Sequence, residues 1–192
     1  NCSKLEKINI PDSVERIYSE AFKDCTNVSE VYIGSGLKSI ISSAFSGDTL
    51  IKSITVSEEN NRFSSDNGVL YNKDKTQLLI YPQSKPETEY VLPSTVKTIE
   101  YSAFSGCNNI EKIVLNNGLE EIMGNAFYNC IALSEADIPE SVVKVGAGIF
   151  KNTAFYDEND NLLYTFNKSY DLPIIIKDDN KYGIEFNNRL LY

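Results

Sequence analysis

The apolar residues of this chain recur with a period of 23 residues, and that period constrains the fold more than any other feature. Ala-Phe pairs stand at Ala21-Phe22, Ala44-Phe45, Ala103-Phe104 and Ala126-Phe127, and Ile149-Phe150 extends the series. The spacings between these Phe residues are 23, 59, 23 and 23. Upstream of each Phe come an apolar triplet and then an apolar pair. The triplets are Leu5/Ile8/Ile10, Val28/Val31/Ile33, Ile51/Ile54/Val56, Ile110/Ile113/Leu115 and Leu133/Ala136/Ile138. The pairs are Val14/Ile17, Leu37/Ile40, Val96/Ile99, Leu119/Ile122 and Val142/Val145. Cys25, Cys107 and Cys130 each follow a Phe by three residues.

Alternation in the Ile-x-Ile pair turns both side chains to one face of a short strand. Pro11, Pro93 and Pro139 follow in one phase and end the strand, because proline has no N–H to donate. Gly34, Ser57 and Asn116 hold that phase elsewhere. A coil of 23 residues cannot bury its own core, but stacked on its neighbours it adds one layer to a continuous one. The expected fold class is an α/β-type repeat solenoid, made mostly of short parallel β-strands in 23-residue coils, with one longer hairpin-bearing coil. Right-handed winding is expected, with strands over 5–10, 28–33, 51–56, 89–92, 110–115 and 133–138. Phe22, Phe45, Phe104, Phe127 and Phe150 should form one buried stack.

The jump from Phe45 to Phe104 is one repeat plus 36 residues. Val69-Leu70-Tyr71 and Leu78-Leu79-Ile80-Tyr81 are β-prone runs around the polar turn Asn72-Lys73-Asp74-Lys75-Thr76, a hairpin signal. Tyr90, Leu92 and Pro93 re-enter the phase, so 57–92 reads as an elongated coil inside one solenoid of residues 1–155. Beyond Phe150 the period fails, and 156–192 reads as a divergent coil or a cap of the same domain. The chain begins within the pattern and without Met, as a fragment of a longer protein would.

The unit Leu-x-x-Ile-x-Ile-Pro-x-Ser-Val-x-x-Ile-x-x-x-Ala-Phe-x-x-Cys resembles the BspA-like, or Treponema pallidum type, leucine-rich repeats. The stretch from Asp66 to Thr76 with Tyr81-Pro82 is similar to that family's longer variant. Departures are Gly36-Leu37 for Ser-Val, Asp48 and Thr153 in the Cys phase, and the blurred start Thr49-Leu50-Ile51. The resemblance implies a bacterial cell-surface or secreted protein, adhesin-like. It carries over no functional residue, because the motif positions are core positions.

Composition narrows the chemistry. The chain has 192 residues, with 18 Lys plus Arg against 27 Asp plus Glu, a formal net charge of -9. Such a balance, with no basic run, argues against nucleic acid or an anionic membrane as partner. No apolar run approaches a membrane-spanning length, so no membrane insertion is expected. The absence of histidine removes Ser-His-Asp and Cys-His systems and most catalytic zinc sites. Glu58/Glu59 and Asp178/Asp179 are adjacent and solvated in character, and no carboxylate is set apart as a matched acid or base. No enzyme, cofactor or metal is expected.

Cys2 would stack over Cys25 and Cys107 over Cys130, but parallel side chains in a ladder do not point at one another as a disulfide needs. Buried free thiols are the expectation. Asp157-x-Asn159-x-Asn161 opens like a calcium loop, but Leu162 replaces the required Gly and Lys168 the bidentate Glu. The sequons at Asn1, Asn27 and Asn167 arise readily in an Asn-rich chain.

The outward strand positions are Asn9, Tyr32, Thr55, Val91, Val114 and Asp137, with Lys7, Glu30, Ser53, Glu89, Lys112 and Glu135 one row over. A solvated sheet face is normally polar. Tyr32, Val91 and Val114 either form a contact patch, extended by the hairpin at 69–81, or are β-formers tolerated on a sheet. The first reading makes the chain a noncatalytic binding scaffold whose partner is a host matrix or cell-surface protein, or a glycan. The second makes it a spacer that displays another domain. Exposed end coils could also pair two fragments edge to edge.

Overall fold

The structure is a computed structural model describing residues 2–45 and 50–155, with the backbone of residues 174–178, 181–186 and 189–191. The Ile-x-Ile pairs form one row of parallel strands: β1 (Lys7–Ile10), β3 (Glu30–Ile33), β5 (Ser53–Val56), β9 (Glu89–Val91), β11 (Lys112–Val114) and β13 (Glu135–Asp137). Their register is the 23-residue period itself. Ile8 pairs with Val31 and Val31 with Ile54, while Tyr90 pairs with Ile113 and Ile113 with Ala136. The expected strands start two residues too early in most coils. Val28, Ile110 and Leu133 instead spend their N–H groups on Cys25, Cys107 and Cys130, closing a turn three residues back. Those donors are then lost to the ladder.

The second apolar pair of each coil forms a row of two-residue strands: β2 (Arg16–Ile17), β4 (Ser39–Ile40), β10 (Thr98–Ile99), β12 (Glu121–Ile122) and β14 (Lys144–Val145). A third set of coil-to-coil bonds runs at the Phe level, where Phe22, Phe104 and Phe127 donate to Ala44, Ala126 and Ile149. The helical contribution among the described residues is one 3-10 turn, Ser42–Phe45.

Two turns flank each of Phe22, Phe104, Phe127 and Phe150, and both require left-handed backbone. Glu20, Ser102, Asn125 and Gly148 lie two residues before a Phe, and Asp24, Gly106, Asn129 and Asn152 two after, all with φ between 55° and 76°. Asn, Asp and Gly recur there because their short side chains, or none, tolerate that region. At Gly106 a Cβ would also meet Gln83 Nε2 at 3.0 Å.

The long coil holds β6 (Phe63–Asp66), β7 (Val69–Asn72) and β8 (Gln77–Ile80), an antiparallel meander. The expected hairpin is β7–β8. Asn72 closes its turn by accepting from the N–H groups of Thr76 and Gln77. The β6–β7 hairpin was not foreseen and turns on Asn67-Gly68, with φ of 46° and 76°, the two-residue turn that such a dipeptide favours. β8 then joins the second row, pairing Leu78 with Ile99.

The expected single Phe stack is instead two. Phe22 and Phe45 stack at 5.5 Å, with Phe22 only half-buried. Phe104, Phe127 and Phe150 form a second column, with centroids 5.2 and 5.3 Å apart, headed by Tyr81 and closed by Phe155. The cause is β7, buried on both faces. Leu70 packs into a core with Ile8 to Phe63, whereas Val69 and Tyr71 pack into one with Leu78 to Phe155.

Among the described residues no disulfide joins the cysteines, with Cys25, Cys107 and Cys130 buried and Cys2 exposed. The thiols of Cys107 and Cys130 donate to the carbonyls of Tyr81 and Phe104 one coil back, at 3.6 and 2.9 Å. Past residue 155 the described backbone is a separate antiparallel meander: β15 (Ile174–Asp178), β16 (Lys181–Phe186) and β17 (Arg189–Leu191). The Asp157 to Tyr164 segment, with its calcium-like opening, lies outside the described residues, as do Asp48, Asp179 and the sequons at Asn1 and Asn167.

Candidate functional site: the strand face of the solenoid

Parallel stacking in strict register turns every second strand residue outward in a column. Asn9, Tyr32 and Thr55 form one such column across β1, β3 and β5. Val91, Val114 and Asp137 form another across β9, β11 and β13. All six are exposed, and the apolar members are far from covered: Tyr32 is 43% exposed, Val91 61% and Val114 37%.

The two columns belong to separate three-stranded sheets. Between them in the row sits the Asn67-Gly68 turn, whose Gly68 carbonyl accepts from Ile54 N–H at 2.9 Å. A Cβ on Gly68 would come within 3.2 Å of Ser53 Cα, so the turn lies flush against β5. The structure thus groups Tyr32 with Asn9 and Thr55, and Val91 with Val114 and Asp137, but not the first group with the second. The hairpin presents only its polar end outward, since Val69, Leu70 and Tyr71 are core.

Charge follows the same 23-residue register in neighbouring columns. Five ion pairs among the described residues join side chains 23 apart: Lys7–Glu30, Glu15–Lys38, Lys97–Glu120, Lys112–Glu135 and Glu121–Lys144. Opposite charges therefore alternate from coil to coil. The hydrogen bond from Lys38 holds the Glu15 carboxyl below its ordinary range, and that to Glu30 raises the Lys7 ammonium above its own. Exposed pairs of this kind add little stability.

Sequence reasoning missed a polar node behind the face. Lys85 is 6% exposed, and its ammonium donates to the Asn67 carbonyl at 2.8 Å and pairs with Glu87 at 3.2 Å. It also lies 5.9 Å from the centre of the Tyr81 ring. Lys85 thereby pins the Asn67-Gly68 turn to the segment that leads into β9. Next to it, the hydroxyls of Tyr71 and Tyr90 meet at 2.5 Å. Burial pushes the phenols of Tyr71, Tyr81 and Tyr90 upward, so all stay protonated at neutral pH. Burial likewise raises the Cys107 thiol, leaving it a poor nucleophile. Among the described residues no group of three or more His, Cys, Asp or Glu side chains is placed to hold a metal ion. No helix among them is long and apolar enough to cross a membrane.

A stack of 23-residue coils with parallel strands in register from coil to coil and an outward strand face defines a leucine-rich repeat protein. The sequence profile of the BspA type leucine rich repeat region matches residues 1–77 and 80–161, in six copies, and the chain belongs to that family. Among solved structures it is similar to the pneumococcal vaccine antigen PcpA, at 26% identity and a TM-score of 0.64, over 78% of this chain and 49% of that one. It is also similar to a leucine rich cell surface protein from Faecalibacterium prausnitzii A2-165. That match has 21% identity and a TM-score of 0.60, over 78% of this chain and 52% of that one, and shows the fold alone. The chain thus spans about half the length of each. No curated protein matches it.

Proposed function

We propose that this chain is a noncatalytic, adhesin-like binding scaffold, secreted or held at the bacterial cell surface, which engages a protein or a glycan through its strand face. The observation that carries the reading is the exposure of Tyr32, Val91 and Val114 on a wet sheet. Asn9, Thr55 and Asp137 flank them. Side chains fixed at the strand spacing on a rigid support contact a partner with little loss of conformational freedom, and Tyr supplies area at low entropy cost. The family and the likeness to a pneumococcal vaccine antigen support a binding role in general.

The test is a screen of this fragment against host matrix proteins and glycans, followed by Tyr32→Ser/Val91→Ser/Val114→Ser. Loss of affinity of about tenfold or more, roughly 1.4 kcal/mol, with the melting curve intact, supports the site. Unchanged affinity with lost stability makes the patch structural. Absence of any ligand in the screen favours the spacer reading.

A further inference from the structure

The two halves of the strand face differ in chemistry, and that difference deepens the reading above by naming a partner class. On the N-terminal half, Lys7 and Glu30 neutralise one another at 2.8 Å beside the Asn9–Tyr32–Thr55 column. On the C-terminal half, Val91 and Val114 stand opposite one another on adjacent strands. They are bordered by Glu89 and Glu135 in one column and by Asp137 at the end of their own. Three carboxylates here face a single ammonium, Lys112, whose charge already engages Glu135 at 3.6 Å. No ion pair among the described residues uses Glu89 or Asp137.

We infer that the β9–β11–β13 face receives a protein segment carrying basic side chains beside apolar ones. Val91 and Val114 offer an apolar strip. Glu89 and Asp137 are placed on either side of it for Lys or Arg of the partner, and Arg is well represented among interface anchors. An anionic glycan would meet uncompensated carboxylates and be repelled. A neutral sugar lacks an aromatic platform, because Tyr90, the ring of this half, turns inward and packs against Tyr81 at 4.9 Å.

The experiment measures binding of this fragment, by calorimetry, to a short peptide alternating arginine with leucine, to its glutamate–leucine counterpart and to heparin. The proposal expects binding of the basic peptide alone. Glu89→Lys/Asp137→Lys should weaken that binding about tenfold or more, as should Val91→Ser/Val114→Ser, whereas Tyr18→Ser, at an exposed residue outside the strand face, should leave it unchanged. Circular dichroism and thermal melts of each variant show that the fold persists. Heparin or the acidic peptide binding as tightly, or charge reversal without effect, overturns the proposal. A matrix protein or glycan captured through Tyr32 and indifferent to Glu89 and Asp137 also overturns it, while leaving the general binding function standing.

Discussion

Tyr81 stacks on Phe104 with ring centroids 4.9 Å apart, and it occupies in its own coil the place that Phe104 occupies in the next. The backbone shows the equivalence. Tyr81 N–H donates to Ala103 as Phe104 N–H donates to Ala126. Tyr81 also precedes Phe104 by 23 residues, so the excess length falls wholly between Phe45 and Tyr81. The aromatic column and the Cys107 thiol, which donates to the Tyr81 carbonyl, therefore treat the long coil as an ordinary one.

The hydroxyl of Tyr81 is buried and has no hydrogen-bond partner. Removing an unsatisfied buried polar group is neutral or stabilising, whereas removing the ring opens a cavity. Tyr81→Phe should thus hold or raise stability, and Tyr81→Ala should cost about 3–5 kcal/mol. Phe104→Ala, at 0% exposure, should cost a similar amount. Urea melts separate these outcomes, and a loss below about 1 kcal/mol for Phe104→Ala would remove the column from its central role.

Gly106→Ala should destabilise by about 1–2 kcal/mol, since φ is 76° and the new Cβ meets Gln83. Asn129→Gly, at the equivalent place one coil on, should be nearly neutral, because Asn already sits in that region with φ of 59°. Equal losses at both positions would show that the left-handed turns do not decide the residue choice.

The regular coils were legible because one period sets three rows at once, at Ile8, Ile17 and Phe22 and their successors. The long coil was less so. Asn67-Gly68 is a strong turn signal, but the run before it, Arg62-Phe63-Ser64-Ser65, holds one apolar residue and does not look like a strand. Its pairing comes from β7, not from its own hydrophobicity. Tyr81 keeps the Phe phase, yet Ala is missing before it and Pro82 follows, so the motif hides it. The division of the strand face followed from the same turn. Outward positions could be read from alternation, but their separation into two groups depends on Gly68 lying against Ser53, a contact with no sequence signature.

Glu100 is partly buried, and that desolvation raises its carboxyl above the ordinary range, against a bond from Tyr101 N–H and with help from Glu121. Between the ordinary and the raised value the folded chain binds more protons than the unfolded one, so this group's contribution to stability falls as pH rises through that window. Glu100→Gln should therefore raise Tm at neutral pH. The gain should shrink as pH drops and vanish below the ordinary carboxylate range, where both states are protonated. Thermal melts of both proteins across that range check it, and a gain independent of pH would assign the effect to packing.

Leu70 and Tyr71 are neighbours in β7 and belong to different cores. No aromatic contact among the described residues joins Phe45 to Tyr81, and β5 meets the C-terminal part through the meander, with Ile54 and Val56 donating to Gly68 O and Ser65 Oγ, both at 2.9 Å. Such a wall allows the N-terminal coils to open while the other core stays closed. Leu70→Ala should cost about 2–5 kcal/mol, and that loss should fall on the N-terminal side. Hydrogen exchange should then accelerate at Val31, Ile33 and Ile54 and remain unchanged at Ile99, Ile122 and Phe127. Equal acceleration in both sets would mean that the two cores unfold as one and that β7 couples them instead of separating them.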